Sequence, residues 1–208
     1  MILIGQYDSP FVRRVAIALR LYGLDFEHRP WSVFGDAERI RAFNPLTRVP
    51  TLVLDGGEVL IETGAILDHL DELAGPGSAL IARQGPERRH ALKICALGNG
   101  LAEKAVSLIY ERALHKEPSA GWIARCEGQV LGVLDRLESE AAGLGTPFWF
   151  GQAPGHADIA VACAWRFLAD AHPGLSPGGA LPRLAAHAAR CEQLAVFQEI
   201  AQPFLPPA

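Results

Sequence analysis

The apolar pattern of this 208-residue chain changes near residue 75, and that change constrains the fold more than any other feature. Before it, short apolar runs alternate with helical patterns; after it, almost every periodic segment has the three-to-four spacing of a helix. The stretch 74–78, Ala-Gly-Pro-Gly-Ser, marks the change, and Gly85-Pro86 gives a second break. We therefore expect an α/β domain over residues 1–75, a linker over 76–86 and an all-helical domain over 87–208.

The first half predicts the element order β-α-β-α-β-β-α. The predicted strands are residues 2–7, 26–31, 51–54 and 59–61, and the predicted helices follow Ser9, span 36–43 and follow a capping Thr63. A strand, a helix and a strand in succession indicate a parallel pair with a right-handed crossover. The turn Asp55-Gly56-Gly57 indicates a hairpin, which adds an antiparallel edge. The outcome is a small mixed four-stranded sheet flanked by helices.

The first helix shows a clear start signal. Ser9 suits the N-cap and Pro10 the first helical position, where its missing N–H costs nothing. The apolar positions that follow lie on one face of the helix, and Arg13 and Arg14 fall off that face. We therefore expect the two arginines to lie away from the core.

The second half predicts a helical bundle. Its helical patterns cover residues 87–114, 120–142, 156–171, 182–191 and 194–201, and residues 203–208 are expected to form a tail. Leu131, Leu134 and Leu137 mark the buried face of one helix. The four cysteines, at 95, 126, 163 and 191, lie in apolar stretches without a Cys-x-x-Cys pair, so reduced and buried thiols are expected.

Charge and composition exclude several classes of function. The net charge is −4 and the pI about 6.0, which disfavours binding to nucleic acid or to an anionic membrane. No apolar run reaches the roughly 18 residues of a membrane span, and no targeting segment is visible, so a cytoplasmic protein is expected. The histidines are scattered and no ligand cluster is present, so we expect no metal.

Ser9 is the first candidate for chemistry. It lies where a strand of the parallel pair meets a helix, the place where α/β folds bind ligands. The helix N-terminus supplies free N–H groups and partial positive charge, and a serine hydroxyl there can donate to an anion. If the anion is a thiolate, both effects lower the thiol pKa from about 8.5. The alternative is that Ser9 is only an N-cap.

Three further features suit a peptide-like ligand. Val49-Pro50 precedes a strand, and a cis bond there would leave the backbone groups of Val49 free to pair with an extended peptide; an ordinary turn proline is the alternative. Glu62-Thr63 starts a helix and suits a zwitterionic amino-acid head, or serves as a cap alone. Arg48 can pair with a ligand carboxylate, or lie solvated on the surface.

These motifs together resemble the cytosolic glutathione S-transferase family, in its bacterial serine-type branch. The matching segments are residues 9–15 (SPFVRRV), 44–45 with 48–52 (NP, RVPTL), 62–67 (ETGAIL, with threonine in place of the usual serine) and, more loosely, Gly151 with 155–159 (GHADI). In the last segment glycine occupies the N-cap position of a core helix, a tolerable departure because it costs only a few tenths of a kcal/mol. Asp158 closes the capping box and is expected to support the helix.

The resemblance implies a thioredoxin-like N-terminal domain, a helical C-terminal domain, a homodimer and glutathione as co-substrate without another cofactor. It implies that the thiol faces Ser9, that the γ-glutamyl head meets Glu62 and Thr63, and that the cysteinyl backbone pairs with Val49 before Pro50. A small hydrophobic electrophile is then expected between the domains. The residues expected to line its site are Phe11, Phe34, Ile109, Tyr110 and Trp165.

The activity implied is conjugation of the glutathione thiolate to that electrophile. Tyr7 is the alternative thiol-facing donor, since some branches of the family use a tyrosine near that position. Isomerisation, peroxide reduction and dehalogenation need the same thiolate and remain alternatives, as does a glutathione-binding protein without turnover. The absence of cysteine from residues 1–94 argues against thiol–disulfide exchange by the protein.

Overall fold

The computed structural model describes residues 1–75, 77–175 and 180–206. Pro76 of the predicted linker and residues 207–208 of the predicted tail lie outside the described residues. The α/β half occupies the start of the chain and a helical domain follows it, as the sequence predicts.

The sheet has four short strands. They are β1 (Ile2–Ile4), β2 (Glu27–Arg29), β3 (Thr51–Val53) and β4 (Val59–Ile61), in the order β2-β1-β3-β4. β1 pairs in parallel with β2, and β3 pairs antiparallel with both β1 and β4. Leu3 lies at the centre, opposite His28 on one side and Leu52 on the other. The parallel pair and the antiparallel hairpin are thus confirmed, although β1 and β2 are shorter than the apolar runs that predict them.

Three helices belong to this half: α1 (Pro10–Leu21), α2 (Ala37–Arg41) and α3 (Thr63–Ala74). The start of α1 is as predicted, because Ser9 is its N-cap and accepts a hydrogen bond from Val12 N. The start of α3 is not. Thr63 is the first helical residue, and the cap position is taken by Glu62, which makes no side-chain capping bond. The prediction of Thr63 as the cap was wrong because the chain turns at Glu62 with a φ of 73°.

The helical half contains α4 (Gly85–Leu114), α5 (Ala120–Ala141), α6 (His156–Ala171), α7 (Pro182–Glu192) and α8 (Ala195–Glu199), with a 3-10 turn over Pro173–Leu175. α4 begins inside the predicted linker, at Gly85. On α5, Leu134 and Leu137 are buried, but Leu131 is 44 % exposed. Its prediction as a core residue was wrong because the other buried residues of α5 lie to one side of Leu134 around the helix, whereas Leu131 lies about 60° to the other side.

α6 is the central helix of this half, and residues 156–164 are all buried. Its first turn is held by Asp158, which accepts hydrogen bonds from Gly155 N at 2.9 Å and Trp149 N at 3.0 Å. α4 crosses α6 so closely that a Cβ on Gly98 would lie 3.0 Å from the carbonyl carbon of Ala160. The capping role expected of Asp158 is therefore present in the structure.

Arg13 and Arg14 are buried, contrary to the expectation from the helix pattern, and each is 5 % exposed or less. Arg13 makes a two-bond fork to Glu192 at 2.6 and 2.8 Å, and Arg14 donates to Asn99 Oδ1. The prediction failed because α1 is covered on two sides. The sheet and α3 pack against one side, and α6 with the last helices packs against the other.

A single apolar core surrounds α1 and joins the two halves. Leu3, Leu52 and Ile66 from the first half share it with Ile159 and Phe197 from the second. A second cluster lies among α4, α5, α6 and α7. Cys126, Cys163 and Cys191 are buried and Cys95 is partly exposed; all four thiols are free. Within the described ranges, no helix is both long and apolar enough to cross a membrane.

Candidate functional site

A cleft of about 730 Å³ lies between the two halves. The first half contributes the loop after β1, the loops before α2 and β3, and the junction of β4 with α3. The second half contributes one face of α4 together with Phe167 and the segment after α8. The loops that the sequence singles out for chemistry therefore meet at one place.

Ser9 lines this cleft at the N-terminus of α1. Its Oγ accepts from Val12 N at 3.4 Å, and Pro10 occupies the first helical position. An accepting hydroxyl keeps its own proton, so Ser9 can cap the helix and donate to a ligand at the same time. The 12-residue helix behind it contributes partial positive charge to the same point.

Tyr7 does not line this cleft. Its ring stacks on His28, with 3.9 Å between ring centroids and 1° between planes. Burial raises the pKa of its phenol, and the charges that act on that phenol belong to Arg20 and Glu199, an ion pair at 2.8 Å. Those groups lie at the far end of α1 and on α8, whereas Ser9 lies at the N-terminus of α1.

The loop before β3 brings Val49 and Pro50 to the cleft wall, and the peptide bond between them is cis. Asn44 holds this loop from inside. Its amide nitrogen donates to Arg48 O at 2.9 Å and to Thr51 Oγ1 at 3.1 Å, and its side-chain oxygen accepts from Leu46 N. Asn44 belongs to a segment that carries the family resemblance, but its role in holding this loop was not predicted; its place before a proline and a turn was the available signal.

Gly5 permits this approach of the loop to β1. A Cβ there would lie 2.8 Å from Cβ of Val49 and 2.5 Å from Cγ2 of Val12, and the φ of 129° also disfavours any side chain. Glycine at the end of β1 therefore lets Val49 and the first turn of α1 meet.

Glu62 and Thr63 line the cleft at the start of α3, and Arg48 lines it from the loop before β3. Glu62 is exposed, and its φ of 73° is unusual for a residue with a side chain. Thr63 is buried. The structure thus sets an exposed carboxylate, the N–H groups of a helix start and an exposed guanidinium around the same space, which suits a zwitterion bearing a second carboxylate.

Four of the five residues expected at the electrophile site line the cleft: Phe11, Phe34, Ile109 and Tyr110. The rings of Phe34 and Tyr110 meet edge to face across it at 5.5 Å. Trp165 does not reach the cleft and packs instead against the second apolar cluster. It was the wrong choice on α6: Phe167, two residues later and about 200° around the helix, is the residue that faces the cleft.

Other residues of the lining were not predicted from the sequence. These are Trp31 and Val33 before α2, Glu103, Lys104 and Ser107 on α4, and Phe204, Leu205 and Pro206 after α8. The α4 residues follow the helical period from Ile109 and Tyr110 and were predictable from it. Across the described ranges, no group of three or more His, Cys, Asp or Glu side chains is placed to hold a metal ion.

Comparisons with known proteins agree with this architecture. Residues 3–78 match the model for the glutathione S-transferase N-terminal domain, and residues 120–190 match that for the C-terminal domain. A maleylacetoacetate isomerase of Pseudomonas aeruginosa is 33 % identical over 170 residues, which cover 76 % of this chain and 77 % of the relative.

Solved structures give the same answer over the whole chain. A glutathione S-transferase of Methylobacterium radiotolerans in complex with glutathione sulfonate matches with a TM-score of 0.88 and 27 % identity, covering 100 % of this chain and 98 % of that one. A glutathione transferase family member of Pseudomonas fluorescens with bound glutathione matches with a TM-score of 0.84 and 29 % identity, covering 98 % and 99 %. This chain belongs to the glutathione S-transferase family.

Proposed function

We propose that this protein binds glutathione in the cleft, stabilises its thiolate with the Ser9 hydroxyl and conjugates it to a small hydrophobic electrophile. The observation that supports Ser9 as the thiol-facing donor is that only one of the two candidate donors lines the cleft. Ser9 lies in the cleft at the N-terminus of α1, while Tyr7 stacks on His28 outside it.

The rest of glutathione matches the cleft by charge. The amine of the γ-glutamyl group meets the exposed carboxylate of Glu62, and its carboxylate meets the backbone N–H of Thr63 at the start of α3. The cysteinyl backbone pairs with Val49 beside Pro50. The glycine carboxylate pairs with Arg48, which has no ion-pair partner within the described part of the chain.

Catalysis then depends on the thiol pKa and on positioning. A hydroxyl donor and a helix N-terminus both favour the thiolate, and we expect them to lower the thiol pKa of bound glutathione by roughly one to two units from about 8.5. Each unit corresponds to about 1.4 kcal/mol in favour of the thiolate. The second substrate lies against the apolar side chains of Phe11, Phe34, Ile109 and Phe167, which lets the cleft select by shape.

Comparison of Ser9→Ala with Tyr7→Phe tests the donor. The thiolate of bound glutathione absorbs in the far ultraviolet where the neutral thiol does not, so a difference titration gives the thiol pKa directly. We expect Ser9→Ala to raise that pKa by about one unit and to lower turnover of a generic aromatic electrophile by about tenfold or more. Tyr7→Phe should leave both unchanged. The reverse pattern would assign the role to Tyr7 and refute this proposal.

Glutathione-dependent isomerisation is the second candidate, favoured by the similarity to a maleylacetoacetate isomerase. The same thiolate would add to a carbon–carbon double bond, allow rotation and leave again, so that glutathione is regenerated. Assay of cis-to-trans conversion of a maleyl substrate distinguishes the two, because conjugation consumes glutathione and isomerisation does not. Incubation of the protein and glutathione with hydroperoxides tests peroxide reduction, and incubation with haloalkanes tests dehalogenation.

A binding protein without turnover is the remaining alternative. Retention on immobilised glutathione without conversion of any substrate would favour it. We further propose that the protein is a homodimer and that it is cytoplasmic, as the family resemblance implies. Sedimentation of the purified protein measures its oligomeric state, and fractionation of cells measures its location.

A further inference from the structure

The segment after α8, residues 200–206, forms part of the cleft. We refer to it as the C-terminal segment. Phe204, Leu205 and Pro206 line the same space as Ser9. The ring of Phe204 meets that of Phe167 edge to face at 5.5 Å, so the C-terminal segment extends the apolar surface that α6 presents to the cleft.

The path of this segment is fixed by residues on both sides of Ser9 in the sequence. Arg13 Nε donates to Ile200 O at 2.7 Å, where the segment begins. Tyr7 N donates to Gln202 Oε1 at 3.1 Å. Leu205 N donates to Asp8 Oδ2 at 3.2 Å. Tyr7, Asp8 and Arg13, all within four positions of Ser9, therefore hold the segment at its beginning, middle and end.

Two of these anchors differ in kind. Arg13 is buried and already engaged by Glu192, so its bond to Ile200 belongs to the packing of the core. Asp8 is half-buried, lines the cleft and makes no ion pair within the described residues. Its side chain reaches across to the very stretch, 204–206, that forms the wall. Asp8 thus connects the position of the wall to the position of Ser9.

We propose that the C-terminal segment is the wall of the second-substrate site that contacts the sulfur substituent of glutathione, and that Asp8 is the positioning residue that holds this wall beside Ser9. The proposal rests on the proposed function, since it assumes that the glutathione sulfur lies at Ser9. It goes further by assigning selection among electrophiles to Phe204 and Leu205.

A ligand series without turnover tests the wall. S-methylglutathione and S-hexylglutathione share the tripeptide and differ only in the group that would reach residues 204–206. Phe204→Ala removes apolar contact area, so we expect the Kd of S-hexylglutathione to rise about tenfold while that of S-methylglutathione changes by less than about twofold. Equal changes for both ligands, or none for S-hexylglutathione, would overturn the assignment of the wall.

A conservative pair tests Asp8. Asp8→Ala removes the acceptor for Leu205 N, and we expect it to reproduce the tenfold loss for S-hexylglutathione and to speed hydrogen exchange of the amide of Leu205. Asp8→Asn keeps an acceptor oxygen and should restore both towards the wild type. In the double variant Asp8→Ala/Phe204→Ala the losses should not add, because one wall is affected twice. Additive losses, or an Asp8→Asn variant as impaired as Asp8→Ala, would refute the positioning role.

The failure of each proposal is distinguishable. Unfolding midpoints of all variants show whether each one folds. If the folded wild type binds no glutathione, the proposed function fails and the wall fails with it. If glutathione and S-methylglutathione bind and only the selective loss is missing, the wall alone is refuted.

Discussion

Oδ1 of Asp158 lies 2.8 Å from Nε2 of His187, and neither side chain is more than 1 % exposed. The same carboxylate accepts from two backbone N–H groups, those of Trp149 and Gly155. These hydrogen bonds offset the cost of burying the charged carboxylate, which would be high without them.

Asp158→Ala should therefore lower the free energy of unfolding by about 3–5 kcal/mol, since it leaves buried donors without an acceptor. Chemical denaturation measures the loss. Asp135→Ala, on the exposed face of α5, is the matched control and should change stability by less than about 0.5 kcal/mol. A small effect at Asp158 would mean that it does not hold the start of α6.

Two glycines on α4 should respond in opposite ways to alanine. A Cβ on Gly98 would press on the backbone of Ala160, whereas one on Gly100 meets nothing within 4 Å. Gly98→Ala should cost about 1–3 kcal/mol through overpacking. Gly100→Ala should stabilise by about 0.4–1 kcal/mol, because it reduces the freedom of the unfolded chain. Thermal unfolding of both variants side by side checks the contrast, and similar midpoints would contradict it.

Gly155 is required for space and not merely tolerated as a weak cap. A Cβ there would lie 2.7 Å from the carbonyl oxygen of Leu80, which accepts a hydrogen bond from His156 N. Gly155→Ser should therefore destabilise by about 1–3 kcal/mol, although serine is the better N-cap in general. Gly128→Ala, in open space on α5, is the control and should stabilise. A more stable Gly155→Ser protein would show that Leu80 moves aside easily.

Glu140 should contribute to stability against acid. Lys93, His90 and Arg136 surround its carboxylate, with Lys93 Nζ at 2.6 Å, and these hydrogen bonds lower its pKa to about 2. Because the pKa in the folded state lies below that in the unfolded state, this contribution is present above about pH 4.5 and is lost as the pH falls towards 2.

Glu140→Gln removes this dependence on pH. Its unfolding free energy should be lower than that of the wild type near pH 6, and the difference should shrink between pH 4.5 and 2. Urea unfolding at a series of pH values measures both curves. Parallel curves over that range would show that Glu140 is not the group responsible.

Local signals in the sequence predict most of the fold. Ser9-Pro10 predicts the start of α1, and Asp55-Gly56-Gly57 predicts the hairpin of β3 and β4. Both signals are local, because these residue types favour the backbone conformation of a helix start or a tight turn whatever packs around them. The start of α3 was displaced by one residue because nothing in the residue type of Glu62 signals a positive φ.

The errors arise where distant parts of the chain decide. Arg13 is buried because it pairs with Glu192, 179 positions away in the sequence. The periodic pattern of a single helix cannot reveal a partner on another helix. Trp165 and Phe167 lie on a helix that is buried almost all round, so hydrophobicity alone cannot say which one faces the cleft. Residues 204–206 have no period at all, and only their packing reveals that they reach the site.

The core around α1 also has a consequence for the synthesis of the protein. Leu3, Leu52 and Ile66 leave the ribosome long before Ile159 and Phe197, which complete the same cluster. The nascent first half therefore carries an uncovered apolar helix face, and Arg13 lacks its partner Glu192, until nearly the whole chain is made. We expect a fragment of residues 1–75 to aggregate when expressed alone, and the two architectural halves to melt together as one cooperative unit.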